Sequence, residues 1–131
     1  MTDNLTTVQG IYEAFGRGDV AHILEQLTDD VDWASEAESA VAPWHGVHKG
    51  TGEVPAFFAN LAATAEVTEF TPLAFAANGD DVMAVIRFGV RIPATGKSGS
   101  MDLHHWWHFR DGKVARYRGS EDTALTAALL S

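Results

Sequence analysis

The sequence predicts an α+β domain: helices first, a long antiparallel sheet afterwards, and the helices covering one face of that curved sheet. Two observations carry this. Apolar residues recur at helical spacing through the first half and at strand spacing from Val67 onward, and three turn signals cut the second half into four strands. At 131 residues, 46% hydrophobic and 21% charged, the chain has the size and composition of one globular domain, expected to span residues 1–131.

Leu5, Val8, Ile11, Tyr12 and Phe15 share one face of a first helix, which Gly16 and Gly18 interrupt. Asp19 then caps a short second helix carrying Ile23, Leu24 and Leu27. The acidic DDVDW segment reads as a strand around Val31 to Ala34, and the Ala, Ser and Glu stretch after it has no period and reads as a loop. Thr51 is the expected cap of a third helix, whose Val54, Phe57, Phe58 and Leu61 form an apolar stripe. Turns at Asn78-Gly79-Asp80, Pro93-Ala94-Thr95-Gly96 and Arg110-Asp111-Gly112 imply an antiparallel meander. Asp122 caps a short closing Ala/Leu helix.

Charge and composition exclude several functions. A net charge of −9 repels a nucleic-acid backbone and an anionic membrane surface, so neither is an expected partner. With no cysteine there is no disulfide, thiolate nucleophile or Cys-based zinc site. No stretch approaches the roughly 18 apolar residues of a membrane helix, and the start MTDNLTTVQG lacks a basic region followed by an apolar run, so a cytoplasmic protein is the default.

HHWWHFRDGKVARYRG, His104 to Gly119, is the densest cluster of chemistry. Alternation puts Leu103, His105, Trp107 and Phe109 on one side of a strand and Asp102, His104, Trp106, His108 and Arg110 on the other. The first set is the inward face. On the return strand Ala115, Tyr117 and Gly119 face inward with it, which a three-residue loop, Arg110-Asp111-Gly112, satisfies by setting Tyr117 across from His105. A two-residue Asp-Gly turn would set Arg118 there and bury a guanidinium. His105 is then either a core imidazole bonded to a neighbour or a pocket residue able to exchange protons near neutrality.

Three stretches, VQGIYEAFGRGDVAHILEQLTDDVDW, PWHGVHKGTGEVPAFF and HWWHFRDGKVARYRGSEDT, resemble in this order the SnoaL-like branch of the nuclear transport factor 2-like superfamily, which also holds ketosteroid isomerases and polyketide cyclases. The resemblance covers nearly the whole chain. It implies a cone-shaped fold whose concave sheet and helices enclose one apolar pocket, in a homodimer, and it implies no single reaction. It also puts an inward histidine four residues before the aromatic of the F-R-D-G-K turn, where His105 stands. Aligned on the isomerases, the first-helix tyrosine falls at Ile11, the general-base aspartate at Ser35 and the oxyanion aspartate near His105. The acid/base aspartate of the cyclases falls at Gly119. None of those residues is kept.

The pocket wall expected from this reading is Tyr12, Phe15, Trp33, Trp44, Phe58, Arg87, Leu103, Trp107, Phe109 and Tyr117. His105 is the expected proton-transfer residue, with Glu36 or Asp32, at or just after the first strand, as its carboxylate partner. His45 and His48 lack helical spacing and a carboxylate ligand, so no metal is expected, nor any cofactor. Two function classes stay open. One is an isomerase, cyclase or hydratase acting on a small apolar carbonyl or polyketide-like compound; the other is a noncatalytic dimer binding such a ligand. The outward His104, Trp106 and His108 make the convex sheet face the expected dimer contact.

Overall fold

The computed structural model describes residues 3–38 and 41–131. Helix α1 (Asn4–Gly16) begins where Asp3 accepts the amide of Thr6 at 2.7 Å, and α2 (Val20–Glu25) where Asp19 accepts that of His22 at 3.1 Å. Leu27, expected on the second helix, opens β1 (Leu27–Ser35) instead. The expected loop follows, of which Ser39 and Ala40 lie outside the described residues. Strand β2 (Gly46–Lys49) was not expected: it is four residues long, too short for alternation to declare itself, and its partner is β1 rather than a sequence neighbour.

Helix α3 (Gly50–Thr64) is not capped by Thr51. Gly50, at φ +75°, makes the strand-to-helix corner, and Lys49 holds the cap position without a side-chain bond. The Glu53 carboxylate, in the first turn, reaches back to accept the Lys49 amide at 2.8 Å and so closes the helix start in place of a cap side chain. The meander follows as β3 (Glu66–Asn78), β4 (Asp81–Ile92), β5 (Lys97–Arg110) and β6 (Lys113–Ser120), and α4 (Thr123–Leu130) closes the chain from its cap at Asp122.

The six strands form one sheet in the order β2-β1-β6-β5-β4-β3. It is not wholly antiparallel, because β1 joins the free edge of β6 in the parallel sense. Register shifts in β3 near Thr68 and Leu73, and in β6 at Ala115, bend the sheet. Its concave side carries the core: Val82, Ala84, Ile86, Phe88, Val90 and Ile92 of β4 are all buried there, with α1 and α4 packed on β4 and α3 on β1 and β2.

The β5–β6 connection corrects the expected register. Asp111 and Gly112, at φ 52° and 80°, form a two-residue turn that pairs Arg110 with Lys113. Ala115 then bulges out of the ladder, so Val114 pairs with Phe109 and Trp107 meets Tyr117. Gly119 is the residue opposite His105, and neither Tyr117 nor Arg118 stands there. The bulge absorbs one residue and turns Tyr117 and Gly119 inward, which keeps the Arg116 and Arg118 guanidinium groups out of the core.

Candidate functional site

Two neighbouring cross-strand rows explain why this sheet holds a cavity. In one, Ala84, His105, Gly119 and Ser35 are successive Cα partners across β4, β5, β6 and β1. In the next, Val82, Trp107, Tyr117 and Trp33 are partners in the same way. The second row is filled by large rings, with Trp33 and Tyr117 centroids 4.1 Å apart and Trp107 and Tyr117 4.5 Å apart. In the first row only His105 is large. Its small neighbours leave space, and α1, α2 and α3 roof it with Ile11, Tyr12, Phe15, Ile23, Phe57, Phe58 and Leu61. The room inside it for the centres of water-sized molecules is about 80 Å³.

Of the residues expected in the wall, Tyr12, Phe15, Trp33, Trp44, Phe58, Leu103, Trp107 and Tyr117 line the cavity. Arg87 does not: it stands on the outer face of β4, half-exposed, with its guanidinium 3.3 Å from Asp102 across the ladder. Phe109 points inward but is buried beyond the cavity in the core, paired with Val114. Ile11, Ser35 and Gly119, the positions where the isomerase and cyclase residues would fall, all line the cavity beside His105.

The His105 ring is fixed by a chain of bonds whose direction follows from donor chemistry. The Trp107 indole N–H, which can only donate, gives its hydrogen to Tyr12 Oη at 2.9 Å. His105 Nδ1, 2.8 Å away, is the one acceptor for the Tyr12 hydrogen among the described residues, so we assign the hydroxyl as donor to Nδ1. Nδ1 is therefore an acceptor, and the hydrogen of the neutral ring sits on Nε2. Nε2 has no partner among the described residues. Burial, and secondarily the neighbouring His104, push the His105 pKa down to about 3, so the ring stays neutral across the physiological range. Burial also raises Tyr12 and Tyr117 well above the ordinary phenol value. Both remain hydroxyls.

Neither expected carboxylate hydrogen-bonds to His105. Asp32 and Glu36 gather around Arg118, whose guanidinium reaches Asp32 Oδ2 at 2.7 Å and lies 3.7 Å from Glu36 Oε1, although Glu36 and His105 both line a second cleft beside the cavity. Arg118 holds the Asp32 carboxyl below its usual range. The physical reason is alternation on β1: Trp33 and Ser35 face the cavity, so Asp32 faces away.

One carboxylate does line the cavity, and sequence reasoning missed it. Glu121 follows β6 directly, and its side chain is 7% exposed. Its Oε1 accepts the Trp44 indole N–H at 2.8 Å and His45 Nε2–H at 2.9 Å, while the Thr126 hydroxyl donates to Oε2. His45 Nδ1 in turn accepts the Ala42 amide at 3.3 Å. This knot ties residues 42–45 to the start of α4. In the sequence Glu121 reads as one more acid in a Ser-Glu-Asp turn, and two of its three donors lie 76 and 77 positions away. Among the described residues no group of three or more His, Asp or Glu side chains is arranged to hold a metal ion. No helix is long and apolar enough to cross a membrane.

The profile of the SnoaL-like domain family matches residues 8–117. Among solved structures, an NTF2-like protein of unknown function from Burkholderia pseudomallei is 27% identical, with 100% of this chain and 99% of that one covered at a TM-score of 0.91. An NTF2-like protein from Burkholderia thailandensis is 26% identical, with the same coverage and a TM-score of 0.90. A Mesorhizobium loti protein provisionally named a SnoaL-like polyketide cyclase shares the fold at 21% identity, with 90% of this chain and 98% of that one covered and a TM-score of 0.74. No curated protein matches the chain.

The depressed His105 pKa has a measurable consequence. Its folded value, about 3, lies below the unfolded value near 6.5, so on acidification the unfolded chain takes up a proton that the folded chain refuses. The stability present above about pH 6.5 is lost as the pH falls toward 3, by about 1.4 kcal/mol per unit within that window. Urea unfolding at pH 6, 5 and 4 should show His105→Gln, which still accepts from Tyr12 but cannot titrate, losing less stability per unit than the wild type by about one proton's worth. Parallel slopes would mean that the ring is protonated in the folded protein.

Proposed function

The chain belongs to the SnoaL-like family, and from that premise we propose that its cavity takes a small, largely apolar carbonyl or polyketide-like compound. There it polarises the carbonyl oxygen for isomerisation, cyclisation or hydration without a cofactor. The observation that carries this reading is the neutral His105 ring, saturated at Nδ1 by Tyr12 and free at Nε2–H within an apolar wall. A fixed N–H in a water-poor site stabilises negative charge developing on an oxygen far better than one in bulk water. His105 thus serves as a donor to oxygen and not as a base, which revises the role its near-neutral titration suggested. A proton leaving carbon needs an acceptor, and among the described residues Glu121 is the only carboxylate in the cavity wall.

A second reading, a noncatalytic ligand-binding protein, is favoured by one observation: Glu121 is already held by three donors and no carboxylate bonds to His105 among the described residues. One experiment separates the two. With 1-indanone as the probe, hydrogen–deuterium exchange at the carbon beside its carbonyl is followed by NMR in D2O. Accelerated exchange that falls at least about a hundredfold in His105→Phe supports the enzyme. Saturable binding without exchange supports the binding protein, and no binding contradicts both.

We propose further that the working unit is a two-fold homodimer formed through the outer sheet face, where Leu73, Met83 and Trp106 are 56%, 45% and 36% exposed. Trp106 is only partly served within the chain, by Asp81 at its indole N–H and Arg116 over its ring. A second copy would cover the remainder. Sedimentation at micromolar concentration should give a dimer, and Trp106→Glu a folded monomer; a monomeric wild type would contradict the proposal.

A further inference from the structure

We propose that the Tyr117 hydroxyl is a second donor to the same ligand oxygen as His105, and that Gly119 is required to hold it there. This rests on the reading of the cavity as a carbonyl site. Three facts converge. Tyr117 is 5% exposed, yet its hydroxyl has no hydrogen-bond partner among the described residues and the side chain lines the cavity. That hydroxyl is not sealed in the core but opens onto the cavity, so its hydrogen is available to whatever occupies the cavity. The position of that hydroxyl is fixed by Gly119. A Cβ built at this residue would stand 2.2 Å from Tyr117 Oη, so the hydroxyl occupies the space a side chain at 119 would fill.

Gly119 is also the cross-strand partner of His105. Side chains of directly opposed residues lie about 5 Å apart, so a hydroxyl occupying the side-chain position of residue 119 stands beside the imidazole. The two rings agree, with centroids 5.2 Å apart and an edge-to-face angle of 72°. They do not bond to each other, which leaves Nε2–H and Oη–H both available to one acceptor. Nor can the tyrosine swing away. Its ring is clamped between Trp33, at 4.1 Å, and Trp107, at 4.5 Å. Burial keeps the hydroxyl protonated, as a donor must be. Two donors converging on one oxygen select a carbonyl or enolate oxygen, which accepts two hydrogen bonds, over an ammonium or amide N–H, which has no lone pair to offer.

The test is the infrared carbonyl stretch of 1-indanone labelled with 13C at the carbonyl and bound to the full chain. In the wild type the band should lie below its position in an apolar solvent, because hydrogen bonds to the oxygen weaken the C=O bond. Tyr117→Phe removes only the hydroxyl. It should move the band part of the way back and weaken Kd about five- to tenfold, the range of one lost hydrogen bond. Gly119→Ala keeps the tyrosine but displaces its hydroxyl, and should reproduce that band shift. His105→Phe should move the band independently. A band unchanged in both Tyr117→Phe and Gly119→Ala, but moved in His105→Phe, would overturn the second donor and leave the carbonyl site standing. A band unmoved by all three variants, or a probe that does not bind the wild type, would overturn the carbonyl site as well.

Discussion

The indole N–H of Trp107 can only donate, and the arrangement of the cavity follows from that. Tyr12 accepts from Trp107, its own hydrogen meets no acceptor among the described residues but His105 Nδ1, and that assignment puts the His105 hydrogen on Nε2. Three residues from α1 and β5 thus set the tautomer of a part-buried ring without any carboxylate. A carboxylate at Tyr12's place would have drawn a proton onto the imidazole and made it cationic. A hydroxyl leaves it neutral, and burial among aromatic side chains reinforces that choice. The result is a rigid, uncharged donor in an apolar wall, suited to holding an oxygen and unsuited to taking a proton from carbon.

The site depends equally on where the sheet is empty. His105 stands between Ala84 and Gly119, with Ser35 one strand further, while the adjacent row is filled by Trp33, Tyr117 and Trp107. A larger residue at Ser35 or Gly119, both in the cavity wall, would intrude on the space His105 faces. The bulge at Ala115 makes this possible: without it, β6 would present Arg118 across from His105. With it, Arg118 turns to the far side and collects Asp32 and Glu36. One inserted residue therefore keeps the β6 arginines out of the interior.

Much of this was legible in the sequence, and what was not has identifiable causes. Alternation along β5 assigned Leu103, His105 and Trp107 to the inner face because a strand's period of two leaves no freedom once one face is buried. The SnoaL-like family and its fold followed from the order of three motifs, and the family profile and the structural neighbours agree. The turn at Asp111-Gly112 was found, but its register was not, since a bulge changes the pairing without changing the inward pattern. Arg87 is not in the wall because Ile86 and Phe88 on either side of it hold the inner face, which alternation along β4 alone would have shown. Asp32 was misjudged for a similar reason, since the Trp33 beside it is the inward residue. Glu121 was invisible because its environment is made by Trp44, His45 and Thr126, and no local pattern brings those together.

The claim on which the account rests is that His105 is a neutral imidazole with its hydrogen on Nε2, and 15N-resolved NMR of the histidine side chains reads this directly. The account predicts that the two ring nitrogens of His105 give well-separated resonances, Nδ1 unprotonated and Nε2 protonated, that do not move between pH 7.5 and 4.5. Replacing Tyr12 by phenylalanine should free the tautomer. A pair of resonances that converges to the imidazolium pattern as the pH falls through 6 would contradict the account, because the ring would then be a charged, titrating group with both nitrogens donating.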